Sequence, residues 1–241
     1  MAVNKSHSQE HSHPGKLPHS ALEKEFELER MILFTDAVFA IAITLLVIDI
    51  KWPDLADNIS SIGLTHLLKG TIWQFFAFLL SFVLIGQYWV IHLQLFRLVR
   101  TYDKGLIKRN LIFLFFIVTF PFASAGLAGH VQTHFLLPVF VYMFNLSFSQ
   151  IAQFMLCRYV FYQKPGLAVE GKMEEKELLY IRARYTAIYM TAYSLILLIL
   201  AFILPEYSVY IAFGPALTGG IFAFINRRTR KYKSKIAGVG N

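Results

Sequence analysis

The chain has 241 residues, of which 56% are hydrophobic, 16% aromatic and only 16% charged. Soluble domains carry ~45–50% apolar and ~25% charged residues; here the apolar excess falls in long runs, which excludes an ordinary soluble globular protein and points to helices solvated by lipid. The net charge of +8 sits in loops and in the last fifteen residues, so membrane topology accounts for it without any role for nucleic acid.

Residues 1–29 are polar and place His7, His11, His13 and His19 among Ser, Glu, Lys and Pro. They contain no apolar core of a secretory signal, and the histidine spacing matches no zinc pattern. The expectation is a disordered cytoplasmic tail without a metal site.

Six apolar stretches are long enough to cross ~30 Å of hydrocarbon at 1.5 Å per residue. They fall near 31–51, 70–98, 107–127, 132–162, 184–204 and 207–226, followed by a basic tail at 227–241. The first opens with Arg30 and carries Asp36 in its early turns, with Phe34 and Thr35 between. A charge at membrane depth costs roughly 2.5–3.5 kcal/mol on insertion scales and persists where it is paired or faces water. Asp36 therefore requires a protein partner or an aqueous path. Further along, Ile41, Leu45 and Ile48 recur at i, i+4 and i+7 on one face, with Thr44 beside them. Copies of that face around an axis would stack apolar rings with a hydroxyl ring between, and apolar constrictions can gate and select by the cost of dehydration. The same spacing also suits plain packing or lipid contact.

The second stretch places Trp89 and His92 one turn apart near its end, ahead of Phe96 and Arg97. His92 is positioned to bond Asp36 or Thr35. Asn110 opens the third stretch beside Arg109, and Pro121-Phe122 interrupts it. In the fourth, Asn145, Ser149 and Gln153 at i, i+4 and i+8 suit interhelical hydrogen bonds. Cys157, the one cysteine, lies within an apolar run and cannot pair within the chain. The charged segment from about 163 to 180 reads as a short surface helix after the Lys164-Pro165-Gly166 break. Gly214-Pro215 and Gly219-Gly220 allow a bend or close packing in the sixth stretch.

Lysine and arginine orient the bundle. Arg97, Arg100, Lys104, Lys108 and Arg109 occupy the second connection, Arg158, Lys164, Lys172, Lys176, Arg182 and Arg184 the fourth, and six basic residues follow Asn226. The opposite loops hold only Lys51 and Lys69, so both termini are expected in the cytoplasm. No Gly-rich phosphate loop, His-Glu-x-x-His or activated nucleophile is present, and nothing supports an enzyme. No internal repeat is evident.

The stretch Arg30-x-x-x-Phe34-Thr35-Asp36, continued by Ala40-Ile-Ala-Ile-Thr44-Leu45-Leu46, resembles the Arg-x-x-x-Phe-Ser-Asp signature of the transmembrane protein 175 potassium channels. Trp89, His92, Phe96, Asn110 and Pro121-Phe122 resemble the prokaryotic members in the same order, so the similarity runs over roughly 30–226. Thr35 stands where serine is usual, and His92-Leu93 where many relatives carry two histidines. The resemblance implies an all-α integral membrane protein of the plasma membrane, with six spans per chain and a homotetramer whose first helices line a central pore. It implies K⁺ as the permeant ion, no cofactor, and Ile41 as the principal constriction with Leu45 and Ile48 beyond it. Thr44 would supply a hydroxyl layer. Arg30, Phe34, Thr35, Asp36, Trp89, His92 and Asn110 would form a structural and gating network near the cytoplasmic mouth. Three readings stay open: a passive K⁺ channel, a proton-coupled transporter using Asp36 and His92, and a non-conducting membrane scaffold.

Overall fold

The computed structural model describes the backbone at residues 19–48, 50–51, 63–129, 136–204 and 227. The expected sixth span at 207–226, the basic tail beyond Arg227, and His7, His11 and His13 lie outside the described residues.

Among the described residues, six α-helices follow in chain order: α1 (His19–Ile48), α2 (Gly63–Phe96), α3 (Lys104–Val118), α4 (Phe120–Gly129), α5 (Leu137–Arg158) and α6 (Met173–Ile203). Among the described residues there is no strand, only a single antiparallel bridge between Val99 and Ala168. Five segments among the described residues are long and apolar enough to cross a membrane: Glu23–Ile48, Gly70–Phe96, Lys104–Ala128, Leu137–Gln163 and Met173–Ile203. The third of these joins α3 and α4.

Helix α1 begins at His19, so part of the expected tail is helical. The sequence Ala21-Leu-Glu-Lys-Glu-Phe-Glu-Leu-Glu29 contains only good or moderate helix formers, and the preceding proline is Pro18. Asp103 caps α3 with an extended backbone, and its Oδ1 accepts the Leu106 amide at 2.7 Å. The break between α3 and α4 falls at Thr119, two residues before Pro121, whose ring removes a donor and crowds the carbonyl one turn earlier. The Thr119 hydroxyl donates to the Asn145 side chain of α5 at 2.9 Å, fixing the break against its neighbour. Helix α5 ends in a π-turn at Tyr159–Gln163 and a 3₁₀ turn at Pro165–Leu167. The following loop is stitched to the α2–α3 connection, since Leu167 accepts from the Arg100 amide and the Val169 amide donates to Leu98. Gly171, at φ 73°, supplies the left-handed turn into α6.

Of the charged segment expected as a separate surface helix, the part from Met173 onward instead forms the first turns of α6. No glycine or proline interrupts residues 173–203, and Arg182 is held to α2 through Gln94 at 3.3 Å, so the helix runs on without a joint.

The core lies among α2, α3, α4 and α5, where Tyr88, Phe113, Phe120 and Tyr142 are fully buried and meet in edge and tilted ring contacts. Ser81 donates to Ser124 at 3.0 Å and lies 3.1 Å from the Tyr142 hydroxyl, so these buried oxygens satisfy one another. Of the polar series on α5, Asn145 and Gln153 bond across helices, while Ser149 donates to the Asn145 carbonyl of its own helix. Among the described residues, helix α1 packs on α2, α3 and α4, and α6 chiefly on α5, which leaves one side of α1 without a described neighbour.

Candidate functional site

The two sides of α1 differ sharply. Thr35, Phe39, Ala42 and Leu46 are almost wholly buried, whereas Ile41 is 57%, Leu45 42% and Ile48 69% exposed. Thr44 is exposed on the same side and turns its hydroxyl onto the Ala40 and Ile41 carbonyls at 3.0 and 2.9 Å. At ~100° per residue, Arg30, Phe34, Ile41, Leu45 and Ile48 share about 60° of arc. Arg30 and Phe34 are exposed, and Arg30 has no hydrogen bond or ion pair among the described residues.

Thr35 and Asp36 face two different neighbours. Asp36 Oδ1 accepts from the Trp89 indole Nε1 at 2.9 Å, joining α1 to α2. Thr35 Oγ1 accepts from Asn110 Nδ2 at 2.8 Å, joining α1 to α3, and donates to the Met31 carbonyl at 2.9 Å. Asn110 Oδ1 lies 2.9 Å from His92 Nε2. With the amide nitrogen committed to Thr35, its oxygen accepts, so His92 Nε2 carries the hydrogen. The donors therefore point one way, from His92 through Asn110 and Thr35 to backbone. His92, Asn110 and Thr35 are each no more than 1% exposed, and the chain leaves none of them without a partner.

Aromatic rings fix the histidine. Phe96 stacks on it at 4.3 Å between centroids, Phe113 lies nearly parallel at 5.6 Å, and Phe39 of α1 meets it tilted at 5.8 Å. His92 thus bonds neither Asp36 nor Thr35 directly; Asn110 stands between it and Thr35, and Trp89 takes Asp36. Of the candidate network, the structure brings together Thr35, Asp36, Trp89, His92 and Asn110. Arg30 and Phe34 lie apart from it, on the arc of Ile41.

A second cluster was not singled out from sequence. Tyr159 of the π-turn donates to Asp103 Oδ2 at 2.6 Å, and the Arg109 guanidinium lies 3.8 Å from the Tyr159 ring centroid. A Cβ on Gly105 would come within 2.0 Å of the Tyr159 hydroxyl, so this residue has no room to be larger. Partial burial works to raise the Asp103 carboxyl, but the Tyr159 hydroxyl, the Leu106 amide and nearby Lys164 outweigh it and hold the group below its ordinary range. The legible signal was Asp103 three residues before Leu106 at the start of an apolar run.

Residues 30–121 match the family model described as the endosomal/lysosomal potassium channel TMEM175. A potassium channel of Streptomyces collinus is 42% identical over 106 residues, covering 44% of this chain and 50% of the relative. A potassium channel of Chamaesiphon minutus is 37% identical over 108 residues, covering 45% and 53%. The human endosomal/lysosomal proton channel TMEM175 is 32% identical over 122 residues, covering 48% and 24%. The chain thus spans about half the length of the bacterial relatives it matches. The crystal structure of a lysosomal potassium-selective channel TMEM175 homolog from Chamaesiphon minutus superimposes with a TM-score of 0.65 at 26% identity, over 84% of this chain and 98% of that one. The matched region holds every residue of the hydrogen-bonded cluster, and the all-helical fold with several membrane-competent helices is that of a multi-pass membrane protein. Over residues 30–121 the chain is similar to the TMEM175 channel family, and its fold resembles that of a solved TMEM175 homologue.

Proposed function

We propose that this protein is a passive K⁺ channel of the plasma membrane. Four copies surround a central pore, each with six spans (the sixth at 207–226) and both termini in the cytoplasm. The channel domain covers 30–226, between an N-terminal tail within 1–29 and a basic tail at 227–241. The observation that carries this reading is the exposed apolar arc of α1. Among the described residues, Ile41, Leu45 and Ile48 are exposed on a helix whose opposite arc is packed tightly. In a ring of four copies, Ile41 makes the narrow point, Leu45 and Ile48 line the passage beyond it, and Thr44 adds a hydroxyl layer. An ion passing such rings loses water without gaining carbonyl ligands, so the cost of dehydration selects.

The Thr35–Asn110–His92 chain and the Asp36–Trp89 bond act as two clamps that hold α1 against α2 and α3 at the pore mouth. Arg30 and Phe34, on the pore arc, shape the entrance. No cofactor enters this scheme. The transporter reading is weaker, because Asp36 and His92 have separate partners and no direct bond along which a proton would pass. The name of the human relative makes proton permeation an explicit alternative.

Reconstitution of the full chain into liposomes tests the reading. An outward K⁺ gradient with valinomycin-free fluorescent flux detection is expected to show passive, non-saturating K⁺ movement. Flux that requires a pH gradient would favour the transporter, and H⁺ movement without K⁺ the proton path.

A further inference from the structure

The outer face of α3 carries a second feature that the pore does not use. Lys104 and Lys108 stand one turn apart, exposed, at the start of the helix, and below them Leu111, Ile112 and Phe115 are 49%, 46% and 60% exposed. With Ile107 these residues line a shallow groove of about 440 Å³. Neither lysine has a hydrogen bond or ion pair among the described residues. The nearest carboxylate in sequence, Asp103, is committed to the Leu106 amide and the Tyr159 hydroxyl. The neighbouring Arg109 turns over the Tyr159 ring and leaves the two ammonium groups on the outer face.

We infer that this groove binds a phospholipid with an anionic headgroup, its phosphate between Lys104 and Lys108 and an acyl chain along Leu111, Ile112 and Phe115. The charge pattern selects the occupant. Two uncompensated cations at the polar end of an apolar stripe match an amphiphile that is anionic at one end and hydrocarbon at the other. From Lys108 to Val118 the helix rises about 15 Å, at 1.5 Å per residue, which is half the hydrocarbon thickness and the reach of one leaflet. A zwitterionic lipid fills the same groove but leaves the lysines without net compensation, so the site prefers the anion.

Native mass spectrometry of the delipidated full-length protein, titrated with phosphatidylglycerol and phosphatidylcholine of identical acyl chains, tests this directly. Wild type is expected to retain phosphatidylglycerol preferentially. The Lys104→Gln/Lys108→Gln variant should lose roughly five-fold in phosphatidylglycerol affinity per lysine and keep its phosphatidylcholine affinity. Lys104→Arg/Lys108→Arg should keep the preference, which separates charge from damage to the fold. An unchanged preference in the glutamine variant overturns the site. Efficient disulfide cross-linking of Phe115→Cys between two protomers overturns it too, because a second copy of the chain would then occupy the groove. Neither result depends on K⁺ flux, so the site and the channel reading fail separately.

Discussion

Asn110 is the residue on which the buried hydrogen-bond chain depends. Replacing it with leucine leaves the His92 Nε2 hydrogen without an acceptor and Thr35 without its donor, in a region closed to water. An orphaned buried polar group costs about 1–3 kcal/mol, although interhelical bonds in membranes average nearer ~0.6. Asn110→Leu is therefore expected to lower thermal stability in detergent by an amount in that range, with α1 the first helix to gain proteolytic sensitivity. Trp89→Phe removes only the indole donor to Asp36. The double variant should be additive within roughly 0.5 kcal/mol if the two clamps are independent. A larger coupling energy in that cycle would mean they form a single network. The residues of this cluster were readable in the sequence, because the Arg30–Asp36 motif and the order Trp89, His92, Asn110 mark them. Their pairing was not readable. Thr35 and Asp36 are adjacent, so about 100° of rotation separates them, and which neighbour each meets depends on how three helices are turned about their axes. The sequence offered His92 to Asp36 or Thr35; packing puts Asn110 and Trp89 in those places.

At the level of elements, the helices were legible as long apolar runs, and the joints between them were less so. Pro121 signalled the interruption of the third span, and the structure sets it at Thr119, where the hydroxyl of Thr119 finds Asn145. The charge-rich start of α6 read as a separate helix because its composition changes near Tyr180; the backbone is indifferent to that change without a glycine or proline to stop it. The α2–α3 joint responds to pH through Asp103. The Asp103 carboxyl is depressed in the folded state, so its stabilisation is fully present above the ordinary carboxylate range of about 4. It is lost as pH falls through the lower folded value. Because the group is only partly buried, the effect is modest. Melting curves of wild type should decline on the acid side of pH ~4. Those of Asp103→Asn, which keeps a capping oxygen but has no charge to lose, should decline less there. Equal acid sensitivity in the two proteins would place the titration elsewhere. Gly105→Ala should act on the same joint at any pH, by displacing Tyr159 from Asp103.

For the whole molecule, the question is what covers the exposed arc of α1. Among the described residues of one chain, Ile41, Leu45 and Ile48 lie exposed while Phe39, Ala42 and Leu46 are buried behind them. The periodicity of these residues was plain in the sequence, but periodicity alone fits packing, lipid or a pore equally well. Selection by apolar rings and simple contact with lipid respond differently to a polar substitution. If Ile41 faces lipid, Ile41→Asn places an amide in hydrocarbon, and the expected result is poorer insertion or stability with unchanged ion discrimination in the protein that survives. If Ile41 rings a pore, the amide meets water and ions. Stability then changes little, and the loss falls on selectivity, because the introduced carbonyl and N–H replace part of the hydration that the apolar ring strips away. Paired liposome measurements of K⁺ and Na⁺ flux at matched protein content are expected to show the ratio moving toward unity, with Na⁺ flux rising. Leu45→Asn should act in the same direction more weakly, since a second apolar ring at Ile41 remains in series. A preserved K⁺/Na⁺ ratio in Ile41→Asn, alongside reduced thermal stability, would assign this arc to lipid and remove it from the conduction path.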